Sequence, residues 1–576
     1  MTKLILKPFQ HTWQLLAVLS LPAVLLGWFG LSQLGVSEPA LLVPAELVKF
    51  LCEFLFLGLI LSALQLIGLK NKWFLGIVMF FYYVAMTADL VLLWYFKERF
   101  GAKYLDTLEG GDYNFITDWR VISYLVFLAL FSVGSVRYLL KDSTRKVAFH
   151  RLLVCAVGTA FLYLANPLWL LPAPGNFYGS YMMPPSIVYT VRAVLTRQPQ
   201  AHITPQLDPQ ITQLAKQYNV FSARQTPVGK KYMRVILIAS ESLSNKYMHH
   251  FNLNIPPEAS APLDTLFEQN PSASLKHVTL STLYGLSVIF TSHPFVRLAY
   301  ENDYPFSMVQ ELRKHGFHTA FLRGANETYM DENVLFQKAG FDEVIGATYF
   351  ATRDDYKPYI DWWGLLDRKL FDYALEYLRL HKNEPTFITL LTVDSHVPLG
   401  RLDYLGETYQ EIDDPAYTSP TMPRAFARFG QDVERFLSGL KEQGLFDDDT
   451  LVLIMPDHPS YSNTPTNALF RPFQPQFDNL PFIIVTKEKI RASIAQNELM
   501  SQLDIAPTIL DLLDIKIPKG MFGHSIFDTR ANRTVFDIKE DYALITTWYN
   551  QRIVPLNSRN PQDKDLIRLM STFVVE

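Results

Sequence analysis

The sequence contains very little cysteine: only Cys52 and Cys155 among 576 residues. Both lie in the apolar first third of the chain, so the remainder has neither a disulfide nor a thiolate metal site. The chain also lacks a basic excess, because 52 lysines and arginines face 56 aspartates and glutamates. A nucleic-acid-binding domain usually carries a strong positive charge, so this class is excluded. Bulk disorder is excluded too, because 49% of the residues are hydrophobic and the net charge is only -4.

Hydrophobic residues are concentrated near the N-terminus in five apolar stretches, at residues 13–35, 47–69, 73–96, 121–140 and 152–173. A helix of about 20 apolar residues crosses the roughly 30 Å hydrocarbon core of a bilayer, so we expect five transmembrane helices. Basic residues are concentrated at the N-terminus and in the loops after the second and fourth stretches, which predicts that these segments are cytoplasmic. The chain after Pro174 is then extracytoplasmic, and we expect a multi-pass protein of the cytoplasmic (inner) membrane.

The composition predicts four parts of the chain. The apolar stretches form a transmembrane domain, residues 1–175, and a segment rich in proline, tyrosine and methionine forms a juxtamembrane connector, residues 176–230. Residues 231–530 have the composition of a globular catalytic domain, and residues 531–576 form a C-terminal extension. We expect the connector either to lie along the outer membrane surface or to be a simple tether.

Apolar, β-branched runs alternate with amphipathic segments throughout the globular part. The apolar runs predict strands at Val235–Ala239, Thr319–Leu322, Thr386–Leu391, Thr450–Met455 and Phe482–Val485. The amphipathic segments predict helices at Tyr304–Lys314, Leu365–Leu380, Ala425–Gln443 and Gln502–Leu513. Continuous apolar strands separated by helices are typical of a mainly parallel sheet sandwiched by helices. The expected fold class is therefore a five-helix transmembrane domain followed by an extracytoplasmic α/β domain.

Three of the predicted strands run directly into polar residues of the kind that bind metals. Glu241 follows the first strand, His396 follows the third, and Asp457 and His458 follow the fourth. In open α/β sheets the site lies beyond the carboxyl ends of the strands, so these side chains are expected to meet. Carboxylate oxygens with a neutral imidazole suit zinc, manganese or magnesium. The pattern predicts a site for one or two divalent metal ions.

A hydroxyl group would complete such a site and supply a nucleophile. Binding to a dication lowers the pKa of a serine or threonine hydroxyl, which makes it reactive near neutral pH. The segment HVTLSTLYGLSVIFTSHPF offers the candidates Thr279, Ser281, Thr282, Ser287 and Thr291. The residue types alone do not choose among them.

The motifs of the outer domain together resemble a known superfamily. LIASESLS around Glu241, the threonine-rich segment, DSHVP around His396, MPDH around Asp457 and the later SQLDIAPTILDLL follow the order of the alkaline phosphatase and sulfatase superfamily. The five predicted spans and the outer domain are similar to its membrane-anchored lipoteichoic acid synthase and phosphoethanolamine transferase group. The resemblance covers essentially the whole chain and implies an alkaline-phosphatase-like domain.

In that group a threonine takes a phospho-head group from a membrane phospholipid and passes it to an acceptor. The resemblance implies that Thr282 is this threonine, because it lies 41 residues after Glu241 and begins a Thr-x4-Ser pattern. It also implies that Glu241, Thr282, Asp457 and His458 bind the metal. His396 matches the histidine that contacts the transferred phosphate or assists the leaving group.

The stretch FLRGANETYMDENVLFQKAGFDEVIG resembles the substrate-side loop of the group, which implies substrate contacts from Asn326, Tyr329 and Asp331. Lipoteichoic acid synthases carry a Trp-x-Arg pair there that grips glycerol phosphate, and Met330 and Glu332 align with it here. An acid in place of a phosphate-binding arginine argues against a faithful polyglycerolphosphate synthase. Phosphoethanolamine transferases usually carry disulfides in this domain, which this chain lacks, so the donor head group stays open.

The sequence thus predicts a metal-dependent transferase that moves phosphoethanolamine or phosphoglycerol from a membrane phospholipid to a cell-envelope glycan or lipid. We expect a monomer that binds no nucleic acid. Two alternatives stay open: a hydrolase of the phosphodiesterase or sulfatase type, and a non-catalytic lipid-binding membrane protein with a degenerate site. The sulfatase alternative is disfavoured, because residues 279–291 lack the Cys/Ser-x-Pro-x-Arg motif that sulfatases mature to formylglycine.

Overall fold

The structure is a computed structural model, in which the chain divides into two compact units, Met1–Arg197 and Gln198–Glu576. The residues that it describes are 55–69, 71–95, 126–133, 148–149, 152–157, 209–218, 229–294, 307–328, 332–361, 363–396, 401, 404–414, 417, 422–460, 478–490, 493–494, 499–518, 520–528, 533–538, 542–547, 551–555 and 558–570.

The first unit is described only in part. Helix α1, Lys72–Tyr95, coincides with the third predicted apolar stretch. The stretch at 13–35 lies outside the described residues, and the stretches at 47–69, 121–140 and 152–173 are described only over 55–69, 126–133 and 152–157. Counting only residues whose side chains are described, no helix has the length and apolarity needed to cross a bilayer. The five-helix arrangement therefore stays a prediction.

The second unit is built on a seven-stranded sheet. Its strands are β1 (Arg234–Ser240), β2 (Ser272–Leu275), β3 (His318–Arg323), β4 (Glu343–Ile345), β7 (Thr386–Leu391), β8 (Thr450–Pro456) and β9 (Leu480–Thr486); β5 (Ile360–Asp361) and β6 (Gly364–Leu365) form a separate small hairpin. The spatial order is β2-β9-β8-β1-β7-β3-β4. The pairs among β8, β1, β7, β3 and β4 are parallel, and β9 is antiparallel to both of its neighbours. The prediction of a mainly parallel sheet is confirmed.

Most helices of the second unit cover this sheet and connect its strands. In chain order they are α2 (Pro209–Gln217), α3 (Pro257–Gln269), α4 (Thr282–Thr291), α5 (Met308–Lys314), α6 (Glu332–Ala339), α7 (Ala347–Phe350), α8 (Asp367–Leu380), α9 (Met422–Glu442), α10 (Ile505–Leu512) and α11 (Pro561–Met570). Val235, Leu237 and Ala239 of β1 belong to one buried core with α4, α5, α6 and α10. Because side chains alternate along a strand, the buried Ile236 and Ile238 face the other side.

The predicted strands agree with the observed ones to within two residues, and β7 matches at both ends. The strands β2 and β4 were not predicted, because they have four and three residues and no long apolar run. The predicted helix at Gln502–Leu513 consists of a short 3-10 turn, Gln502–Asp504, followed by α10. Ser307 caps α5 by accepting a hydrogen bond from the Gln310 backbone, which explains why this helix begins after the predicted Tyr304.

The C-terminal residues form a small antiparallel sheet of β10 (Val535–Ile538), β11 (Tyr542–Thr546) and β12 (Gln551–Pro555). Phe536, Ala543 and Val554 of these strands share a buried core with Ala215 of α2 and Leu566 of α11. Helix α2, which lies in the predicted connector, therefore packs as part of the second unit.

Candidate active site

Glu241 follows β1 and begins the site at the carboxyl edge of the sheet. Its backbone N–H donates to the Thr392 hydroxyl at 2.9 Å, which anchors it to the end of β7. The Ser242 hydroxyl donates to Glu241 Oε1 at 2.6 Å. Ser242 has a φ of 60°, which is uncommon for a residue other than glycine and marks a tight turn after the strand. The Glu241 carboxylate is therefore buried and held in one orientation.

Asp457 and His458 follow β8, the parallel neighbour of β1. Ser240 pairs with Pro456 in the register, so the residues after both strands are adjacent. The Asp457 carboxylate accepts hydrogen bonds from the backbone N–H groups of Ser242 at 3.0 Å and His458 at 2.8 Å. Parallel register thus brings together side chains that are far apart in the sequence.

The His458 ring is oriented by its own turn. Nδ1 lies 2.8 Å from the backbone oxygen of Pro459, which can only accept, so Nδ1 carries a hydrogen. This contact directs Nε2 towards Glu241 Oε1 at 3.4 Å and Asp457 Oδ2 at 3.6 Å. The backbone carbonyl of Pro459 therefore fixes the orientation of the ring.

Thr282 is the predicted hydroxyl residue that lies in this pocket. Its Oγ1 is 3.2 Å from Glu241 Oε2 and 3.2 Å from His458 Nε2. Ser287 and Thr291 are buried and donate instead to backbone carbonyls within α4. Thr282 is also the first residue of α4, where the unpaired N–H groups and the helix dipole favour negative charge. The Thr282 hydroxyl therefore lies beside Glu241 and His458, whereas the hydroxyls of Ser287 and Thr291 are used within α4.

Two residues that sequence reasoning missed hold α4 against the Asp457 turn. A Cβ atom at Gly285 would lie 2.1 Å from the Asp457 carbonyl oxygen, so only glycine permits this approach. The side-chain amide of Gln502 donates to the Asp457 carbonyl and, at 3.3 Å, to the Gly285 carbonyl. Gln502 belongs to the SQLDIAPTILDLL motif. The place of this motif in the ordered set of motifs was the feature of the sequence that could have pointed to Gln502.

His396 lies at the end of β7, as predicted, beside two further residues. The preceding Ser395 donates its hydroxyl to the Glu241 backbone oxygen at 2.6 Å. The Trp363 ring lies 4.5 Å from the His396 ring, measured between centroids.

The loop that carries His396 is held by a buried charge cluster. The Asp367 carboxylate, at the start of α8, accepts hydrogen bonds from the backbone N–H groups of Val393 at 2.7 Å and Asp394 at 2.9 Å. Arg401 Nε lies 2.8 Å from Asp394 Oδ1. Burial raises the pKa of Asp394 to about 6 and that of Asp367 well above its usual range. These residues position the loop.

The three ionisable side chains of the pocket shift one another's pKa values. Burial acts to raise the pKa of Glu241, but the charges of His396 and His458 and the hydrogen bond from Ser242 lower it to about 2. Burial and the Glu241 charge raise the pKa of Asp457 to about 7. Burial acts to lower the pKa of His458, but Asp457 and Glu241 raise it to about 9. Near neutral pH, Glu241 is therefore ionised, Asp457 is about half protonated and His458 is protonated, so a bound cation would have to displace protons from Asp457 and His458.

The donor atoms of this pocket fit a divalent metal ion. Ligand atoms of Glu241, Asp457 and His458 all lie within 4.8 Å of one another. Asp457 Oδ2 is buried and accepts no hydrogen bond from any described residue, although such an orphaned carboxylate oxygen is costly. Two carboxylates, one imidazole and the Thr282 hydroxyl form a mixed set that suits zinc, manganese or magnesium.

The predicted substrate residues are less fully described. Asn326 Oδ1 accepts hydrogen bonds from the Thr328 backbone and hydroxyl, both at 2.9 Å, while Tyr329 and Asp331 lie outside the described residues. Glu332, aligned with the arginine of the Trp-x-Arg pair, is buried and forms an ion pair with Arg323 at the end of β3. This edge of the sheet therefore has an arginine, but it comes from the strand rather than the loop.

Comparison with known proteins places these observations in a family. Residues 234–515 match the model of the Sulfatase family. The chain is 24% identical over 233 residues to lipoteichoic acid synthase of Staphylococcus saprophyticus, covering 39% of this chain and 35% of that protein. It is 24% identical over 240 residues to phosphoglycerol transferase I of Salmonella choleraesuis, covering 40% and 29%. The matches thus span about a third of the length of these relatives.

The chain is also similar to a solved structure, the integral membrane protein lipooligosaccharide phosphoethanolamine transferase A from Neisseria meningitidis. It has 15% sequence identity and a TM-score of 0.49, with 81% of this chain and 88% of that chain covered. The family match includes the strand ends that carry Glu241, His396, Asp457 and His458. Residues 234–515 form a domain of the sulfatase family.

Proposed function

We propose that this protein transfers a phospho-head group from a membrane phospholipid to a cell-envelope glycan or lipid through a phosphothreonine at Thr282. The head group is phosphoethanolamine or phosphoglycerol. The observation that carries the proposal is the position of the Thr282 hydroxyl, 3.2 Å from both Glu241 and His458 at the start of a helix. The names of the two curated relatives, a lipoteichoic acid synthase and a phosphoglycerol transferase, support a head-group transferase.

Glu241, Thr282, Asp457 and His458 would hold a divalent ion, which we expect to be zinc, manganese or magnesium. When bound, such an ion lowers the pKa of a hydroxyl ligand and neutralises charge on phosphoryl oxygens. The residues prepare the pocket for this chemistry. Ser242 and the backbone N–H groups hold the carboxylates, and the Pro459 carbonyl keeps His458 Nε2 directed inward.

The reaction runs in two displacements. Thr282 Oγ1 gives its proton to water and attacks phosphorus, while the diacylglycerol oxygen departs and receives a proton from His396. The acceptor hydroxyl then gives a proton to His396 and attacks the same phosphorus, while Thr282 Oγ1 departs and takes a proton from water, which restores its hydroxyl. The N-terminus of α4 favours the negative charge on the oxygens around phosphorus in both displacements. We expect Asn326, Tyr329 and Asp331 to contact the head group.

Membrane anchoring would keep the enzyme beside its lipid donor. Trp73, Ile77 and Phe81 of α1 are 61%, 55% and 63% exposed, and their spacing of four residues places them on one face. Phe149, Leu153 and Val157 repeat this spacing and are 54%, 51% and 61% exposed. Rows of large apolar side chains are costly in water and favourable in lipid, which supports the predicted multi-pass anchor. Anchoring raises the effective concentration of the donor.

The test is mass spectrometry of the full-length protein after incubation with mixed phospholipids and a divalent ion. The wild-type protein should carry an added group on the Thr282 peptide, and the added mass identifies the donor head group. Thr282→Ala should abolish the adduct, whereas the neighbouring Thr279→Ala and Ser281→Ala variants should retain it. An adduct that persists in Thr282→Ala, or disappears only in a neighbouring variant, would refute the assignment of the nucleophile.

A further inference from the structure

A second group of metal-ligating side chains lies at the opposite edge of the main sheet. His318 begins β3, Glu343 begins β4, and His381 follows the last residue of α8. One ligand atom from each of the three residues lies within 4.8 Å of the others. Because β3 and β4 are parallel, their first residues lie at the amino edge, whereas Glu241 follows a carboxyl end. The six residues of β3 span about 20 Å, so this group is separate from the candidate active site.

Each histidine of this group has a carboxylate near its Nδ1 atom. His381 Nδ1 lies 2.6 Å from Glu384 Oε1. His318 Nδ1 lies 3.9 Å from Asp342 Oδ2, and its Nε2 lies 3.0 Å from Glu343 Oε1. A carboxylate at one ring nitrogen orients the imidazole, raises its basicity and leaves the other nitrogen for a metal. His381 thus has the outer partner that metal-binding histidines usually have, whereas the carboxylate nearest His318 Nδ1 lies beyond hydrogen-bond distance.

The two histidine rings must turn for both of them to bind one ion. The rings of His318 and His381 are nearly parallel, with centroids 4.7 Å apart, so their in-plane nitrogen lone pairs do not converge in this arrangement. Both side chains are 23% exposed and Glu343 is 41% exposed, so an ion can reach them and small rotations are permitted. Zinc–nitrogen and zinc–oxygen bonds of about 2 Å require the ligand atoms to approach to about 3.3 Å. The Tyr377 hydroxyl, 2.8 Å from His318 Nε2, borders the same space.

We propose that His318 Nε2, Glu343 Oε1 and His381 Nε2 bind a zinc ion, with water as the fourth ligand. Two imidazoles and one carboxylate are a common zinc ligand set, and zinc prefers four ligands in a tetrahedron. The ion links β3, β4 and the end of α8, which are joined elsewhere by strand pairing and packing. Because β3 and β7 adjoin, it stabilises the side of the sheet whose far end carries His396. The site is independent of the proposed transferase activity.

Zinc content tests this site when the candidate active site is disabled. The full-length Glu241→Gln/Asp457→Asn variant, purified in detergent, stripped with chelator and dialysed against micromolar zinc, should retain one zinc equivalent. Adding Glu343→Gln or His381→Ala should remove that equivalent. His250→Ala is the matched control, because His250 pairs with Glu268 at 2.9 Å as a surface histidine–carboxylate pair, and it should leave the zinc content unchanged.

Thermal unfolding separates loss of the ion from loss of the fold. In chelator, the Glu241→Gln/Asp457→Asn variant (the parent) and the same protein with the near-isosteric Glu343→Gln substitution added should unfold at the same temperature. Zinc should then raise the midpoint of the parent alone, because an ion that binds only the native state stabilises it. A parent without zinc, an undiminished zinc content in Glu343→Gln, or an equal rise in both midpoints would overturn the proposal. None of these outcomes depends on transferase activity.

Discussion

The Thr282 hydroxyl lies 3.2 Å from His458 Nε2, although 176 residues separate the two in the chain. The contact depends on two separate packing arrangements. Parallel pairing of β1 with β8 places His458 beside Glu241, and close packing of α4 against the Asp457 turn places Thr282 above both. A substitution that disturbs either packing arrangement should alter the site even though it replaces none of the proposed metal ligands.

Gly285→Ala should disturb the packing of α4 against the Asp457 turn. Its new Cβ atom would meet the Asp457 carbonyl oxygen at 2.1 Å, so α4 must move away and carry Thr282 with it. We expect a loss of about 1–3 kcal/mol in the free energy of unfolding and a large loss of turnover. Chemical denaturation and lipid-donor assays measure the two effects.

Gly430→Ala is the matched control within a helix. Its Cβ atom would lie 3.5 Å from Leu263 Cγ, an ordinary contact, so the better helix propensity of alanine should stabilise the protein by up to about 1 kcal/mol. Equal effects of the two substitutions would show that the approach of α4 to Asp457 is unimportant.

Metal binding should release protons from Asp457 and His458. Their pKa values are raised to about 7 and about 9, so both hold protons at pH 6 and His458 holds one at pH 8. A dication needs both groups deprotonated, so its affinity should rise with pH. We expect release of about two protons per ion at pH 6 and about one at pH 8.

Calorimetry in two buffers of different ionisation enthalpy measures this proton count. Asp457→Asn removes one of the titrating groups and should lower the release at pH 6 to about one, along with a large loss of affinity. A count near zero at both pH values would contradict the assigned protonation states.

The sequence was sufficient to predict those parts of the site that depend on strand ends. Glu241, His396, Asp457 and His458 each follow a long apolar run, and the carboxyl ends of parallel strands must meet. The five main strands were predictable for the same reason, because a strand buried on both faces is a continuous apolar run.

Contacts made by helices and loops were not predictable in this way. The proposal of Thr282 rather than Thr279 or Ser281 depends on where α4 begins and how closely it packs. The type of residue predicts neither the start of the helix nor its packing. Gly285 and Trp363 matter because they lie close to Asp457 and His396, which are remote from them in the chain. The short strands β2 and β4 are formed by pairing with neighbours, since their own sequences favour no extended run.

Trp363→Ala should slow the reaction by freeing His396. The two rings are 4.5 Å apart, and a contact of this kind is worth about 0.5–1.5 kcal/mol. At the upper end this corresponds to about a tenfold loss of kcat. Trp363→Phe keeps an aromatic face and should stay close to wild type. Steady-state kinetics with unchanged thermal stability in both variants would support a positioning role, whereas equal rates in both would refute it.

Replacing Glu332 alone should destabilise the protein strongly. Its ion pair with Arg323 is buried on both sides, and removing one partner leaves an uncompensated charge that costs about 3–5 kcal/mol. Glu332→Leu should therefore unfold at much lower denaturant, whereas Arg323→Met/Glu332→Leu should recover most of the loss. Arg353 and Glu376 form a more exposed pair at 3.1 Å, so Glu376→Leu should cost at most about 1 kcal/mol.

The same variants separate stability from a role of Arg323 in catalysis. If Arg323 only balances Glu332, the doubly apolar variant should fold and retain donor turnover, because the buried charges are removed together. If Arg323 also contacts the phosphate, as its place at the end of β3 favours, the variant should fold normally and lose donor affinity. We expect the second result, with KM for the phospholipid raised on the order of tenfold or more, since a charge-assisted hydrogen bond contributes about 1.5–3 kcal/mol. An unchanged KM in the folded double variant would assign the pair to stability alone.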